Sequence, residues 1–251
     1  MLLPLLRSLG VRRLGILMLS HRDSDHVGGA ATLLQALPVG ELRSSLEPGH
    51  PLLRVGPAEV RCEAGQGWTW DGVRFDMLHP TAPHFEAGLK SNNLSCVLLI
   101  TSAATGSGRR ALLAGDLEAE QERALVKRHS GMPGDLRADV LLVPHHGSKT
   151  SSSAELLAAV RPATALVQAG YRSRFGHPAP VVLARYQAAG AVVVASPACG
   201  AWRWRSDAAT ADGLCERDRR RRYWQDHGPA SSGPEGPPAD EAAPADKELA
   251  F

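Results

Sequence analysis

The sequence predicts an α/β fold in which sheets are covered by helices, with an α+β stretch of hairpins in its middle. Short, continuous apolar runs such as Leu14–Leu19 and 139–143 read as strands buried on both faces. Segments with helix start and stop signals follow most of them. Between them, residues 68–78 place two β-rich runs around Asp71-Gly72, the dipeptide that a two-residue type I′ turn favours. The 251 residues suffice for one large domain or two small ones. A hydrophobic content of 43 % against only 5 % aromatic residues means that the core is built from Leu, Val and Ala.

In chain order, residues 2–9 form a short helix closed by Gly10, and Leu14–Leu19 a strand that runs up to His21. Residues 28–37 read as a helix stopped by Pro38. The hairpin strands are 68–70 and 73–78. Two further strands, 94–100 and 110–114, are joined by a Gly/Ser-rich loop. A charged helix over 118–129, a strand over 139–143, a helix over 152–160 and a strand over 163–167 follow. The next helix begins at Pro178, a residue suited to a first turn, and ends at Gly190. Residues 192–194 and 202–205 read as closing strands. The domain spans residues 1–226. Residues 227–251 are Gly, Pro, Ala, Ser, Glu and Asp with almost no large apolar side chains, which predicts a disordered tail.

A formal net charge of +2 gives no whole-chain signal for nucleic acid, so any electrostatic case rests on local clusters. Cys62, Cys96, Cys199 and Cys215 have no C-x-x-C spacing, which excludes a zinc ribbon and a thioredoxin-like motif. Cys96, inside an apolar run, reads as a buried core thiol; a disulfide among the other three is open if the domain lies outside the cytoplasm. The leucine-rich start resembles a signal peptide, but Arg7, Arg12 and Arg13 interrupt it and no small-residue cleavage site follows. No later run approaches the roughly 20 apolar residues of a membrane span. The chain therefore reads as soluble.

The chemistry concentrates at three points. His21-Arg22-Asp23-Ser24-Asp25-His26 packs four potential metal ligands into six residues just after a strand. On an extended segment His21, Asp23 and Asp25 would share a face, and the turn at Gly28-Gly29 would bring His26 beside them. Asp116 follows the next strand end through Gly115, and His145-His146 follows another through Pro144. Taken singly, Asp116 is equally well a helix N-cap. Together the three clusters occupy strand carboxyl ends, where open α/β sheets place their functional crevice.

The pattern His-x-Asp-x-Asp-His, then Gly-Asp, then His-His-Gly-Ser resembles the metallo-β-lactamase superfamily. Within it, the wording is similar to the C-terminal domain of the ComEC family of DNA-internalisation competence proteins. The likeness is carried by Ser20 to Gly29, Asn92-Asn93-Leu94-Ser95, Leu113 to Glu118, Val143 to Ser151, Phe175-Gly176-His177-Pro178 and Trp70 to Phe75. It covers residues 1–205, more faintly through Arg222-Tyr223-Trp224. The resemblance implies an αββα sandwich holding two divalent metal ions, zinc or manganese. His21 and Asp23 would hold the first ion, Asp25, His26 and one of His145 and His146 the second, and Asp116 would bridge them. Many superfamily members have histidine at the position of Asp23 and another near Asn92 to Ser95. The more oxygen-rich set here shifts the preference from zinc toward manganese or a weakly held metal. Superfamily domains also begin with a β-hairpin ahead of the first ligand strand, so the resemblance implies an N-terminally truncated domain.

These residues suit metal-assisted hydrolysis of a phosphodiester. Asp25 would orient the nucleophile, and His177 or the non-ligating histidine of the pair would protonate the leaving group. Lys149 joins them as a catalytic candidate. It also forms, with Ser148, Thr150, Arg172 and Arg174, the substrate-binding set. Arg217 and Arg219 to Arg222, beside Tyr223 and Trp224, are the other basic cluster with aromatic neighbours, a combination suited to single-stranded DNA. By resemblance the further partner is the membrane-channel portion of a ComEC-like protein, at the extracytoplasmic (periplasmic) face of the inner membrane. Two alternatives stand beside this reading: a hydrolase of a lactone, thioester or phosphocholine ester, and a non-catalytic domain that binds DNA or a partner.

Overall fold

The computed structural model describes residues 2–102, 108–131, 136–207 and 213–219. After helix α1 (Leu2–Ser8) come β1 (Leu14–Leu19), the one-turn helix α2 (Ser24–Val27), α3 (Ala30–Ala36), β2 (Val39–Ser44) and β3 (Glu59–Arg61). These three strands form a parallel sheet in the order β1-β2-β3. The chain then builds β4 (Gly67–Trp70), β5 (Val73–His79), α4 (Ala82–Glu86), β6 (Val97–Ser102), β7 (Arg110–Leu113) and α5 (Ala119–His129). It continues through β8 (Val140–Leu142), α6 (Ala154–Val160), β9 (Thr164–Val167), α7 (Pro180–Ala188) and β10 (Val192–Ala195). Together β4 to β10 make one mixed sheet in the order β10-β9-β8-β7-β6-β5-β4. Its β4 to β7 part is an antiparallel meander and its β7 to β10 part is parallel.

The layers follow from the two-residue period of strands. On β6, Val97 and Leu99 join a core with Leu125 of α5, Leu156 and Val160 of α6, and Val182 and Tyr186 of α7. The intervening Leu98 and Ile100 face the other way, toward Met18 of β1, Met77 and Phe75 of β5 and Trp68 of β4. A third core joins Leu19 and Leu42 of the small sheet to Ala30 and Leu34 of α3. Helix on sheet, sheet on sheet and sheet on helix make the four-layer αββα sandwich that the family resemblance implies. At the β4–β5 turn, Asp71 (φ 49°) and Gly72 (φ 75°) both take the left-handed region that a type I′ turn requires.

Four local expectations need correction. The 28–37 helix is α3 alone, and the chain turns earlier, into α2, because Asp23 is already the extended residue that precedes a helix. The strand placed over 94–100 starts at Val97, after a 3₁₀ turn at Ser91–Leu94. The helix placed at Pro178 starts at Pro180: a residue before proline is driven out of the helical region, so Ala179 is extended (ψ 140°). The closing segment at 202–205 does not extend the large sheet; its Trp202–Arg203 pairs antiparallel with Leu214–Cys215.

The cysteine reading also changes. Cys96 is buried, but it forms a disulfide with Cys62, and Cys199 pairs with Cys215. Cys62 follows β3 and Cys96 precedes β6, so the first bond joins the two sheets across their shared core. Packing of two sheets brings these residues together, which spacing along the chain does not reveal. The described residues belong to one unit ending at Arg219. The 227–251 tail and the cluster Arg220, Arg221, Arg222, Tyr223 and Trp224 lie outside the described residues.

Candidate metal centre

The three motif clusters meet at the carboxyl ends of β1, β7 and β8. After β1, His21 is the last extended ligand; Asp25 and His26 ride on α2 rather than on an extended run, which aims them at the same point by a helical turn. Asp116 is reached through Gly115 (φ +54°), where a Cβ would stand 2.8 Å from the Ser95 Cβ. The close approach lets the Ser95 hydroxyl accept the Asp116 N–H at 3.0 Å. His145 and His146 both sit at positive φ (48° and 52°), a conformation that costs non-glycine residues about 1–3 kcal/mol each. Tertiary bonds hold them there: the His145 N–H donates to the Gly115 carbonyl at 3.0 Å, and the Ser151 hydroxyl to the Pro144 carbonyl at 2.8 Å.

One ligand atom from each of Asp25, His26, Asp116 and His146 falls within 4.8 Å of all the others. The His146 Nε2 lies 3.2 Å from Asp25 Oδ2, 3.4 Å from Asp116 Oδ2 and 3.3 Å from His26 Nε2. The His26 Nε2 is 3.2 Å from Asp116 Oδ1. The second histidine of the pair also borders Asp116 but has other partners: His145 Nε2 is 3.9 Å from Asp116 Oδ2 and 3.5 Å from Asn92 Nδ2, with its Nδ1 against Thr150 Oγ1 at 3.2 Å. Of the pair, His146 is the member that falls in the four-residue group. His21 Nε2 stands 3.9 Å from Asp116 Oδ2, the oxygen that His146 also approaches, and 3.6 Å from Asp23 Oδ2.

The donor set fits divalent ions. His21 is 1 % exposed, yet its Nε2 is buried without a hydrogen-bond partner and faces two carboxylates. An orphaned lone pair beside carboxylates is a costly arrangement that a cation relieves. The supporting bonds set the tautomers, as they do for metal-bound histidines. The His146 Nδ1–H donates to the Gln168 carbonyl at 2.7 Å, leaving Nε2 for the centre. His21 Nδ1 is held by the hydroxyls of Ser20 (3.1 Å) and Ser95 (3.3 Å), and Ser20 also reaches His26 Nδ1 at 3.1 Å.

The charges respond to one another. Burial alone would push the Asp116 carboxyl up, but hydrogen bonds from His146 and His26 outweigh it and hold Asp116 well below the usual carboxylate range. His146 is raised to about 9, first by its bond to Asp116. Burial, with His26 nearby, lowers His21 to about 4. Without a cation, then, a proton on His146 balances the carboxylates, and metal binding would expel it.

A cavity of about 660 Å³ opens beside the centre, lined by Asp25, His146, Arg172, Arg174 and His177 among others. Of the expected substrate-binding residues, the structure brings Arg172 and Arg174 to it. Ser148 and Thr150 hydrogen-bond each other at 3.1 Å, and Thr150 holds His145, so these two hydroxyls support the histidine loop. Lys149 is exposed and makes no ion pair among the described residues. The His177 ring is 5.9 Å from that of His145, and its Nδ1 is buried without a partner. Sequence reasoning gave no role to Ser20, Ser95, Asn92 or the Gln168 carbonyl. The first three lie inside the motif words, whereas no sequence signal marks Gln168.

No protein-family model matches the chain. It is 37 % identical over 201 residues to "Competence protein ComA" of Neisseria gonorrhoeae, covering 80 % of this chain and 26 % of that protein. It is 37 % identical over 169 residues to "Recombination protein 2" of Haemophilus influenzae (67 % and 19 %) and 31 % identical over 191 residues to "ComE operon protein 3" of Bacillus subtilis (72 % and 23 %). The chain thus spans about a quarter of the length of the curated relatives it matches, or less. Among solved structures, a mutant of the CmlA beta-hydroxylase superposes with a TM-score of 0.50 at 15 % identity, covering 73 % of this chain and 43 % of that one. The metallo-beta-lactamase fold protein YhfI of Bacillus subtilis superposes at 0.46 and 12 % identity, covering 76 % and 79 %.

Proposed function

From the premise that the chain is a metallo-β-lactamase-fold domain resembling these competence proteins, we propose that it is a metal-dependent hydrolase of DNA phosphodiester bonds. The observation that carries the reading is the convergence of Asp25, His26, Asp116 and His146, with His21 beside both Asp116 and Asp23. His21 and Asp23 would hold one divalent ion, Asp25, His26 and His146 a second, and Asp116 both. When bound, two such ions, zinc or manganese, would activate water and neutralise charge on the non-bridging phosphate oxygens.

The chain's own residues do the rest. Asp25 has a side chain 61 % exposed at the mouth of the groove, where it can orient an incoming water. His177 lies in the same groove, and burial, with His145 and His146 behind it, lowers its pKa. When protonated it is a stronger acid than a free imidazole, which suits delivery of a proton to the departing oxygen. Arg172 and Arg174 offer cations to phosphates flanking the scissile one, and Lys149, exposed outside the groove lining, would offer a further one.

Single-stranded DNA is the proposed partner, along with a membrane-channel portion of a longer protein, at the extracytoplasmic face of the inner membrane. Among the described residues no helix is long and apolar enough to cross a membrane. Two disulfides support an oxidising compartment, since such bonds are rare in the cytosol.

The test is incubation of the purified, folded protein with labelled DNA and manganese or zinc, beside an Asp116→Ala variant. Cleavage by the wild type alone is expected. DNA left intact with both metals would sink the proposal. The sparse set around His21, two carboxylates with an asparagine amide near His145, favours a second reading, a DNA-binding domain without catalysis. Metal content near zero after dialysis, with DNA binding unchanged in Asp116→Ala, would support it.

A further inference from the structure

We infer that Tyr171 and Phe175 are base-stacking residues, which make the groove beside the metal centre select unpaired DNA; the inference rests on the phosphodiesterase reading above. The segment is Tyr171-Arg172-Ser173-Arg174-Phe175, an alternation of rings and cations. Tyr171 is 73 % and Phe175 67 % exposed. Exposed rings grouped at a groove mark a surface that meets a partner.

Each ring has a guanidinium against it: the Arg172 Cζ lies 5.4 Å from the Tyr171 centroid and the Arg174 Cζ 4.7 Å from that of Phe175. These contacts order the rings while leaving them largely in solvent. The cations are not neutralised locally. Residues 156–206 contain no Asp or Glu. Among the described residues neither arginine makes an ion pair. Backbone phosphates would find guanidinium groups, and bases would find π-faces, on the same short loop.

The loop is continuous with the reacting centre. Tyr171, Phe175 and His177 line the same 660 Å³ cavity as Asp25 and His146, a size within the roughly 300–1,000 Å³ that holds a drug-sized ligand and so a nucleotide. The Phe175 and His177 rings are 6.0 Å apart and within 23° of parallel, and His177 is 5.9 Å from His145. A row of rings thus leads from the rim to the metal centre. Stacking accepts any base but needs a free base face. In a duplex those faces are already covered by neighbouring pairs. A centre that acts on a phosphodiester reads a group common to single and double strands, so discrimination would fall to this loop.

The experiment measures binding by the full chain without metal, using fluorescence anisotropy. The probes are a labelled oligothymidylate, an abasic strand of equal length and a blunt duplex. The wild type is expected to prefer oligothymidylate to both. Tyr171→Ala and Phe175→Ala should each weaken that binding about 5- to 150-fold and narrow the preference over the abasic strand, while Tyr171→Trp retains it. Circular dichroism confirms that each variant is folded. Unchanged affinity in the folded alanine variants, equal wild-type affinity for the abasic strand, or no wild-type binding to oligothymidylate overturns the inference. Metal-loaded wild type that leaves DNA intact defeats the hydrolytic reading, whereas the binding comparison still decides the role of the two rings.

Discussion

Lowering the pH should weaken the fold through His79, whose partner Asn93 lies between Asn92 and Ser95 of the candidate site. His79 is fully buried at the end of β5, and its Nε2–H donates to the Asn93 carbonyl at 2.9 Å. That bond anchors the turn that presents Asn92 and Ser95 to the ligand cluster. Its Nδ1 is buried with no partner to receive a proton's charge. Burial first, then the nearby His84 and Arg128, push its pKa from 6.5 down to about 3, against the pull of the backbone bond. Between pH 6.5 and about 3 the unfolded chain therefore binds a proton that the folded chain does not, and stability falls as pH falls. At pH 5 the unfolded state is 1.5 pH units below its pKa while the folded state has not begun to titrate, so the loss is about 2 kcal/mol. His79→Gln keeps an N–H able to reach Asn93 and does not titrate. Urea unfolding of both proteins at pH 8 and pH 5, with a chelator present, isolates the effect, because other titrating groups cancel in the difference. The stability advantage of wild type over His79→Gln should shrink by about 2 kcal/mol on going to pH 5. An advantage that stays constant across that range would refute the argument.

Three further outcomes follow from the same geometry. Asp116→Ala removes the carboxylate shared by both donor sets, and its metal affinity, measured by calorimetric titration with manganese or zinc, should fall by more than the roughly 10- to 100-fold that loss of a supporting partner costs. Undiminished affinity would show that Asp116 is no ligand. Gly115→Ala forces a methyl against Ser95 at a positive φ and should destabilise the fold by about 1–3 kcal/mol while displacing Asp116; a denaturation midpoint and metal content equal to wild type would count against the close packing. Replacing Cys62 and Cys96 together by serine opens a 34-residue loop and should lower unfolding free energy by about 4 kcal/mol on the chain-entropy scale. The check is chemical denaturation under non-reducing conditions.

The motif words were legible because a metal centre needs several N and O donors at once, and donors at strand ends are local in sequence. Strand and helix order was legible for a similar reason, since each strand carries its own apolar pattern. What escaped is non-local or conformational. His145 and His146 are chemically equivalent in sequence; only their left-handed backbone turns one toward Asp25 and the other toward Thr150. Cys62 and Cys96 meet because two sheets stack, and neither residue's neighbourhood announces it. Ser20 and Ser95 look like ordinary turn hydroxyls until the close approach at Gly115 makes them the support of His21 and Asp116. Pro178 and Pro180 both satisfy a helix start, and the rule for residues before proline had to be applied to Ala179 to choose between them.

The pairing of Cys62 with Cys96 has a mechanical meaning. His21, Asp23, Asp25 and His26 are carried by the small sheet, whereas Asp116, His145 and His146 are carried by the large one. The Cys96 N–H bonds to the Ser20 carbonyl at 2.9 Å, so the covalent tie lies directly beneath the ligands. The donors are thus two halves of a clasp mounted on separate plates, with a rivet under the seam. Ions seated above would brace the same joint from the opposite side, so the tightness of metal capture is also a gauge of how firmly the plates are held together.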